Sequence, residues 1–517
     1  MEAEKLLKRY EKAEARRLKY YNLLRTGYEL AMPERNNYSG NQEGQSKTEK
    51  VYDSTGMSAV NSFSNTMMST ITPPFTRWFE LGAGELIPED NKEAINEKLT
   101  KINQIIHAIL NASNFYSAAG EMYYELCAGT GALLVLEEDD IDHPISFTSV
   151  QSSDLALEEG RRGEIGAVFR TYCLPSRLIS ETWKDAKDFK PDEEREVVLI
   201  EATYLDYKNK EWIYNVIDKT EKKIIVERKY TENPFIVLRW SKISNEVFGR
   251  GPLLQALPDL KMLNKERELA IKTNELNAFG IWTIVDDGVI DTANIKFTPG
   301  AGIVVGRNAG TNGPTIAALP QSGNPALLEN DMMRLQMSIK NIMYDNRLPT
   351  DDSGVRSATE IMARMKFLQS DIGSAFGRIM SEYIYPLVRR VVGILSRQGL
   401  IKIPEIVINN KKIKTDNVDK LLIGINILSP IARMQNTEDV QTAVQAVQTM
   451  MSLDPSGGQI TMATVDLEKL FKWVADKLGV PPQFTRSEVE RVNFKAEQAQ
   501  AQINQQIVQT QIQGINQ

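Results

Sequence analysis

The feature that most constrains this chain is an unbroken helical periodicity from Ser357 to about Arg397. Ile361, Met365, Leu368, Ile372, Phe376, Ile379, Tyr383, Leu387, Val391 and Ile394 step mostly by three and four, the spacing that keeps side chains on one helical face. At 1.5 Å per residue such a helix is roughly 60 Å long, a girder rather than an element of a compact core. Ser357-Ala358-Thr359-Glu360 opens it with the S-x-x-E spacing of a capping box. Pro386 predicts a kink near its last third.

The chain ahead of the girder is patterned too. Gly249-Arg250-Gly251-Pro252 opens a helix with Leu253, Leu257, Leu260 and Leu263 on a narrow face, and a second helix carries Leu328, Met332, Leu335, Ile339 and Ile342. Between them, Ile281 to Leu319 holds short strand patterns around the turn signals Asp287-Gly288 and Gly300-Ala301-Gly302. This predicts a small β subdomain on the tips of two helices. A polar loop, RLPTDDSGVR, then leads into the girder.

Earlier still, Met1 to about Met32 reads as one charged amphipathic helix with Leu6, Tyr10, Ala13, Arg17, Tyr20 and Leu24 along its stripe, and Pro33 to Lys50 as a loop. Asp53 or Ser54 caps a helix that Thr72-Pro73-Pro74 stops, and Trp78 to Leu81 is a strand candidate. Helices follow at about Asn91–Ser113 and Phe115–Cys127, and then a buried strand at Ala132–Leu136. From Ile145 to Leu238 the period shifts towards two, with strands around 167–172, 197–204, 212–216 and 223–226 and a hairpin turn at Gly160 to Gly166. Beyond Gly399, Ile403 to Leu428 looks β-rich, and helices follow at about 432–453, 464–478 and 485–513. The Gln-rich end is either frayed or a helix completed by neighbouring subunits. The fold class is α+β, mainly helical.

A length of 517 residues implies two to four structural units. Hydrophobic residues at 42% and charged residues at 25% are globular values, so most of the chain should fold. The net charge of -7 disfavours a tight grip on nucleic acid while leaving loose contact with a passing duplex open. No apolar run is long enough to span a membrane and the first residues hold no signal-peptide core, which fits synthesis and use in cytosol.

The inventory for catalysis is thin. Cys127 and Cys173 lack CxxC spacing, and His107 and His143 are too few for a polyhistidine site or a triad of several histidines. There is no P-loop, and Gly129-Thr130-Gly131 follows a helix and precedes a strand, the wrong order for a dinucleotide fingerprint. The nearest approach to a metal site is Glu137, Glu138, Asp139, Asp140 and Asp142 beside His143, without the ligand alternation of an EF-hand. A solvated acidic loop explains it as well. Asp351 and Asp352 read as turn residues, and no cofactor is expected.

Several stretches, in order, resemble the portal (head-to-tail connector) proteins of T7-like short-tailed bacteriophages. They are Tyr52-Asp53-Ser54-Thr55-Gly56, Ile71-Thr72-Pro73-Pro74 followed by Trp78-Phe79, the hairpin of Asp154 to Arg170, Gly249-Arg250-Gly251-Pro252, Ser357-Ala358-Thr359-Glu360-Ile361, and Glu382 to Leu387 with Pro386. The set runs from about Glu2 to Phe494. Each alone is weak; the ordered set is specific.

The resemblance implies a homo-oligomeric ring of twelve subunits at one capsid vertex, with wing (1–248 and 357–430), stem helices (249–278 and 324–346), clip (279–323), tunnel loop (347–356) and crown (431–517). Twelve helices side by side at roughly 9–10 Å leave a bore of about 26 Å, which admits a duplex. It further implies loose, non-specific double-stranded DNA in the channel and docking with the terminase motor, a tail adaptor, and major capsid and scaffolding proteins. The location is the virion, after assembly in host cytoplasm, with no membrane. Candidate DNA-facing residues are Arg347, Thr350, Asp351, Asp352, Ser353 and Arg356; the two arginines either touch phosphates or pair with Asp351, Asp352 or a neighbouring subunit. Ser357 and Glu360 cap the girder, Pro386 kinks it, and Asp287, Gly288, Gly300 and Gly302 turn the clip. Two other readings remain: another ring-forming virion protein such as a tail adaptor, and a cytosolic enzyme with a carboxylate or metal site at Glu137 to His143.

Overall fold

The computed structural model describes residues 3–38, 44–140, 142–186, 195–279, 282–284, 316–318, 325–345, 373, 375–404, 406–408, 411–413, 418, 422–428, 430–454 and 459–478. The chain divides into two compact units, one of Met1–Phe75 with Leu81–Ile425 and one of Thr76–Glu80 with Asn426–Gln517.

The first unit begins with α1 (Ala3–Leu18) and α2 (Tyr21–Ala31). The single helix expected over 1–32 is thus two. Lys19 and Tyr20 leave the ladder through amides bonded to Arg16 and Arg17. The break lets each half bury a different face: Leu6, Leu7, Tyr10 and Ala13 of α1 join a sheet core, while Gly27 of α2 lies against Leu253. Next come α3 (Thr55–Ile71), its Thr55 amide bonded to Asp53 Oδ1 at 2.8 Å, then β1 (Phe79–Ala83), α4 (Glu89–Ala112) and α5 (Phe115–Leu126).

A β module follows, made of β2 (Thr130–Glu137), β3 (Ile145–Val150), β4 (Leu155–Glu159), β5 (Ile165–Pro175), the short α6 (Ser176–Thr182), β6 (Glu196–Asp206), β7 (Glu211–Asp218), β8 (Lys223–Tyr230) and β9 (Phe235–Arg239). Among the described residues, β3-β2-β9 form one sheet and β4-β5-β6-β7-β8 another, every pairing antiparallel. Alternation sorts the five-stranded sheet cleanly. Leu155, Leu157, Val168, Leu199 and Val216 bury against Ala132, Leu134, Phe235 and Val237 of the three-stranded sheet. Ala156, Ala167, Phe169, Ile200 and Ala202 point the other way, under α1.

Two helices emerge from this body, α7 (Pro252–Phe279) and α8 (Pro325–Ile342). Between them β10 (Trp282–Ile284) pairs antiparallel with β11 (Ile316–Ala318), so strand pairing does occur where a β insertion was expected. The described part of the girder is α-helical at 375–378, opens into a π-helical turn at Ile379–Ile384, and continues as α9 (Tyr385–Arg397). Pro386 is the second residue of α9, just after the widened turn. The β-rich return comprises β12 (Ile406–Ile408), β13 (Lys411–Ile413) and β14 (Ile423–Ile427).

The second unit holds α10 (Pro430–Leu453), α11 (Gln459–Thr464) and α12 (Leu467–Leu478). The helix expected at about 464–478 starts instead at Leu467: Thr464 closes the short α11, and the Lys469 amide bonds Asp466 Oδ1 at the start of α12. Asp454, just after α10, accepts from the Thr461 amide and hydroxyl of α11. The helix expected at 485–513 lies outside the described residues.

Candidate functional site

The helix pair α7 and α8 is held at its base by a backbone joint. Gly251 and Leu253 donate their amides to the carbonyls of Ala128 and Cys127, and the Gly249 amide bonds Thr130 Oγ1 at 2.8 Å. The unpaired amides of a helix start are thereby satisfied, with Pro252 where a missing N–H costs nothing. The two segments approach so closely that a Cβ on Gly249 would lie 2.2 Å from the Gly129 carbonyl oxygen, and one on Gly251 2.2 Å from that of Cys127. Burial pushes the Cys127 thiol well above its usual pKa.

The expected stripe of α7 is buried in full: Leu253, Leu257, Leu260 and Leu263, with Ala256. On α8, Met332 and Ile339 are buried, Leu328, Leu335 and Ile342 are half-buried, and Met343 just beyond the helix completes the face. Polar bonds fix the pair. Ser338 donates to Asp259 at 2.7 Å, Gln336 to Asp53 at 2.9 Å, and Asn264 bonds the backbone of Tyr52 and Lys50.

The remaining arc of both helices is open. At about 100° per residue, Met262 and Leu269 fall on the side of α7 opposite its buried stripe. Met262 is 53% exposed, and on α8 Met333 is 56% and Met337 67% exposed. Beside the α7 pair runs a ridge of exposed lysines, Lys261, Lys265 and Lys272. Glu268 accepts from Lys272 at 2.5 Å and Lys265 at 2.9 Å, and these bonds bring its pKa down to about 2.

A second clamp holds the girder. Arg239, at the end of β9, grips Glu382 of the π turn through Nε at 3.2 Å, Nη2 at 2.5 Å and its own amide at 3.1 Å. Its Nη2 also donates to the Gly163 carbonyl at 3.0 Å. Further on, buried Arg390 donates from Nε to the Val135 carbonyl and lies over the Tyr230 ring, 3.6 Å from Glu232. Burial lowers its pKa.

The acidic cluster near His143 is spent on local pairing. Glu137 faces Arg397 at 3.5 Å, Asp139 faces Lys184, Glu138 accepts from Ser146, and Asp140 pairs with His143. Among the described residues no cluster of metal-ligating side chains occurs, and no helix is long and apolar enough to cross a membrane.

Arg347, Thr350, Asp351, Asp352, Ser353, Arg356, Ser357, Glu360, Asp287, Gly288, Gly300 and Gly302 lie outside the described residues. Pro386 is half-buried beside the π turn. Sequence reasoning missed Arg239 and Glu382, whose pairing joins positions far apart in the chain and leaves no local signal.

A family model described as bacteriophage head to tail connecting protein matches residues 3–485. The chain is 22% identical over 469 residues to a "Probable portal protein" of Bordetella phage BPP-1, covering 85% of this chain and 80% of that one. It is also 22% identical over 456 residues to the "Portal protein" of Salmonella phage epsilon15, covering 79% of each. Among solved structures, a chain from the virion of a native gene transfer agent particle superposes with a TM-score of 0.35 at 11% identity, over 86% of this chain and 92% of that one.

Proposed function

The chain belongs to the family of bacteriophage head to tail connecting proteins, and from that premise we propose that it assembles into a ring, a dodecamer, whose bore carries double-stranded DNA into and out of the capsid. As in the matching portal proteins, the role is that of a structural connector rather than an enzyme. The observation that carries the ring is the open apolar arc of α7 and α8. Met262, Leu269, Met333 and Met337 are exposed on helices that have already packed one apolar stripe each into the body, and large apolar side chains in this arrangement call for a neighbouring subunit.

In this reading 1–248 and 357–430 form the wing, α7 and α8 the stem, 279–323 the clip, 347–356 the tunnel loop and 431–517 the crown. The antiparallel pairing of β10 with β11 between the stem helices supports a β-built clip, the face for the terminase motor and then the tail adaptor. The wing and crown meet capsid and scaffolding proteins. Pro386 and the adjoining π turn supply the kink of the wing helix. The lysine ridge, partly neutralised by Glu268, suits a wall that phosphates pass without being held.

Electron micrographs of the purified protein test this directly. Rings with a central hole are expected, and a uniform population of monomers would overturn the reading. For the loop, an Arg347→Ala/Arg356→Ala ring should package or retain DNA less well. Unchanged packaging and retention would remove those arginines from the DNA path.

A further inference from the structure

The last turn of α8 is a helix stop of an unusual kind. The Tyr344 amide bonds the Asn341 carbonyl and the Asp345 amide bonds that of Lys340, the paired bonds of a Schellman stop, which asks for a left-handed residue where Tyr344 stands. Glycine usually fills that position, because a side chain there crowds its own backbone. Tyr344 takes it with φ at 57°.

The surroundings explain why a tyrosine is held there. Its ring centroid lies 5.6 Å from that of Trp240 and 6.3 Å from that of Phe63, and those two rings are themselves 5.3 Å apart. Next to it, buried Asp345 accepts from the Ser62 hydroxyl at 2.6 Å. The stop is bolted to α3 and to the residue that follows β9.

Trp240 adjoins Arg239, which grips Glu382 in the π turn. Two consecutive residues at one strand end therefore hold the end of α8 and the π turn, Trp240 through Tyr344 and Arg239 through Glu382. We propose that Arg239 and Trp240, with Tyr344 as receiver, are positioning residues that fix the end of α8 and the π turn, the two described ends between which residues 347–356 lie in the chain. The functional part rests on the reading above that 347–356 faces DNA: a load on that loop is then borne at one strand end rather than along α8.

Tyr344→Gly is the informative variant, since it keeps the left-handed backbone and removes only the ring. Tyr344→Phe keeps the ring and serves as the conservative rescue. Leu134→Ala, in the sheet core, controls for general destabilisation. Assembled rings of each would be digested with trypsin, following cleavage after Arg347 and Arg356, and DNA retention would be measured in filled heads carrying them.

Tyr344→Gly rings are expected to be cut at those arginines about tenfold faster and to lose DNA sooner, with Tyr344→Phe close to the parent. Unchanged cleavage in intact Tyr344→Gly rings overturns the positioning role, as does equal acceleration in the Leu134→Ala control. Faster cleavage with retention intact upholds the grip and instead overturns the reading of 347–356 as the DNA-facing loop. If Tyr344→Gly fails to assemble, Arg239→Lys, which keeps the charge but loses the forked contact, takes its place under the same outcomes.

Discussion

The two-sheet module and the paired helices α7 and α8 are built from similar apolar side chains, but only the module encloses them within one chain. Leu134, Val168, Leu199 and Val216 are buried between its sheets, and Phe169 and Ile200 lie under α1. The helix pair buries one stripe and leaves Met262, Leu269, Met333 and Met337 in the open. Burial at about 25 cal/mol per Å² stabilises the module by itself, whereas the exposed helix faces would gain the same term only in the proposed assembly. One region thus sets the stability of the subunit, and in the proposed ring the other would set the stability of assembly.

The largest effect should come from the joint between them. Gly249→Ala places a methyl group 2.2 Å from the Gly129 carbonyl oxygen, a backbone atom that cannot swing aside. The expected loss exceeds about 4 kcal/mol, in the range reserved for broken cores and strained backbones. Soluble yield and thermal melting check it: a soluble, normally melting variant would mean that the module and α7 are less firmly joined than the geometry requires.

The next pair separates the regions directly. Leu134→Ala should cost the subunit about 2–5 kcal/mol through a cavity between the sheets. Met337→Glu should change subunit stability by less than about 0.5 kcal/mol, as exposed substitutions do, yet deplete rings by placing a charge in a face meant to be dry. Denaturant melts of the dissociated chain beside mass photometry of the assembled one read the two effects. If Met337→Glu assembles normally, the open arc is not the subunit contact.

The same contrast governs how much of the fold is legible in the sequence. The stripe Leu253, Leu257, Leu260 and Leu263 and the alternation through 167–172 were legible because burial there follows a local period of helix or strand. The break at Lys19–Tyr20 carries no proline or glycine and follows from two helices needing different partners, a tertiary cause. Arg390 sits among the residues of an amphipathic helix and reads as surface, but the Val135 carbonyl, Tyr230 and Glu232 give it a buried place. Tyr344 is harder still. Nothing near it in sequence announces a left-handed tyrosine, because the rings that hold it come from α3 and the end of β9. The expectation that 347–356 faces DNA rested on resemblance rather than on pattern, since a short polar stretch has no period to read.

The smallest effect compares two carboxylates. Glu125 is buried where α2, α5 and the β3–β4 connection meet, accepting from Tyr28 at 2.5 Å and from the amide and hydroxyl of Ser152 at 3.1 Å. Burial raises its pKa above 4.5 despite those donors. Glu268, on the open side of α7, is lowered instead to about 2 by Lys272 and Lys265. The signs therefore oppose. For a raised carboxyl, the stabilising contribution is complete below pH 4.5 and is lost as pH climbs through the folded value. For a lowered one, the contribution is present above pH 4.5 and lost as pH falls towards 2. Glu125→Gln keeps an acceptor for Tyr28 and Ser152 and removes the charge, so its melting temperature should fall less than the parent's between pH 4.5 and 7. Glu268→Gln should alter only the acid side, and slightly, because its partners are exposed and screened. Parallel curves for the parent and Glu125→Gln above pH 4.5 would show that the charge at Glu125 is met within the fold, and the closed region would then hold no pH-dependent weakness of its own.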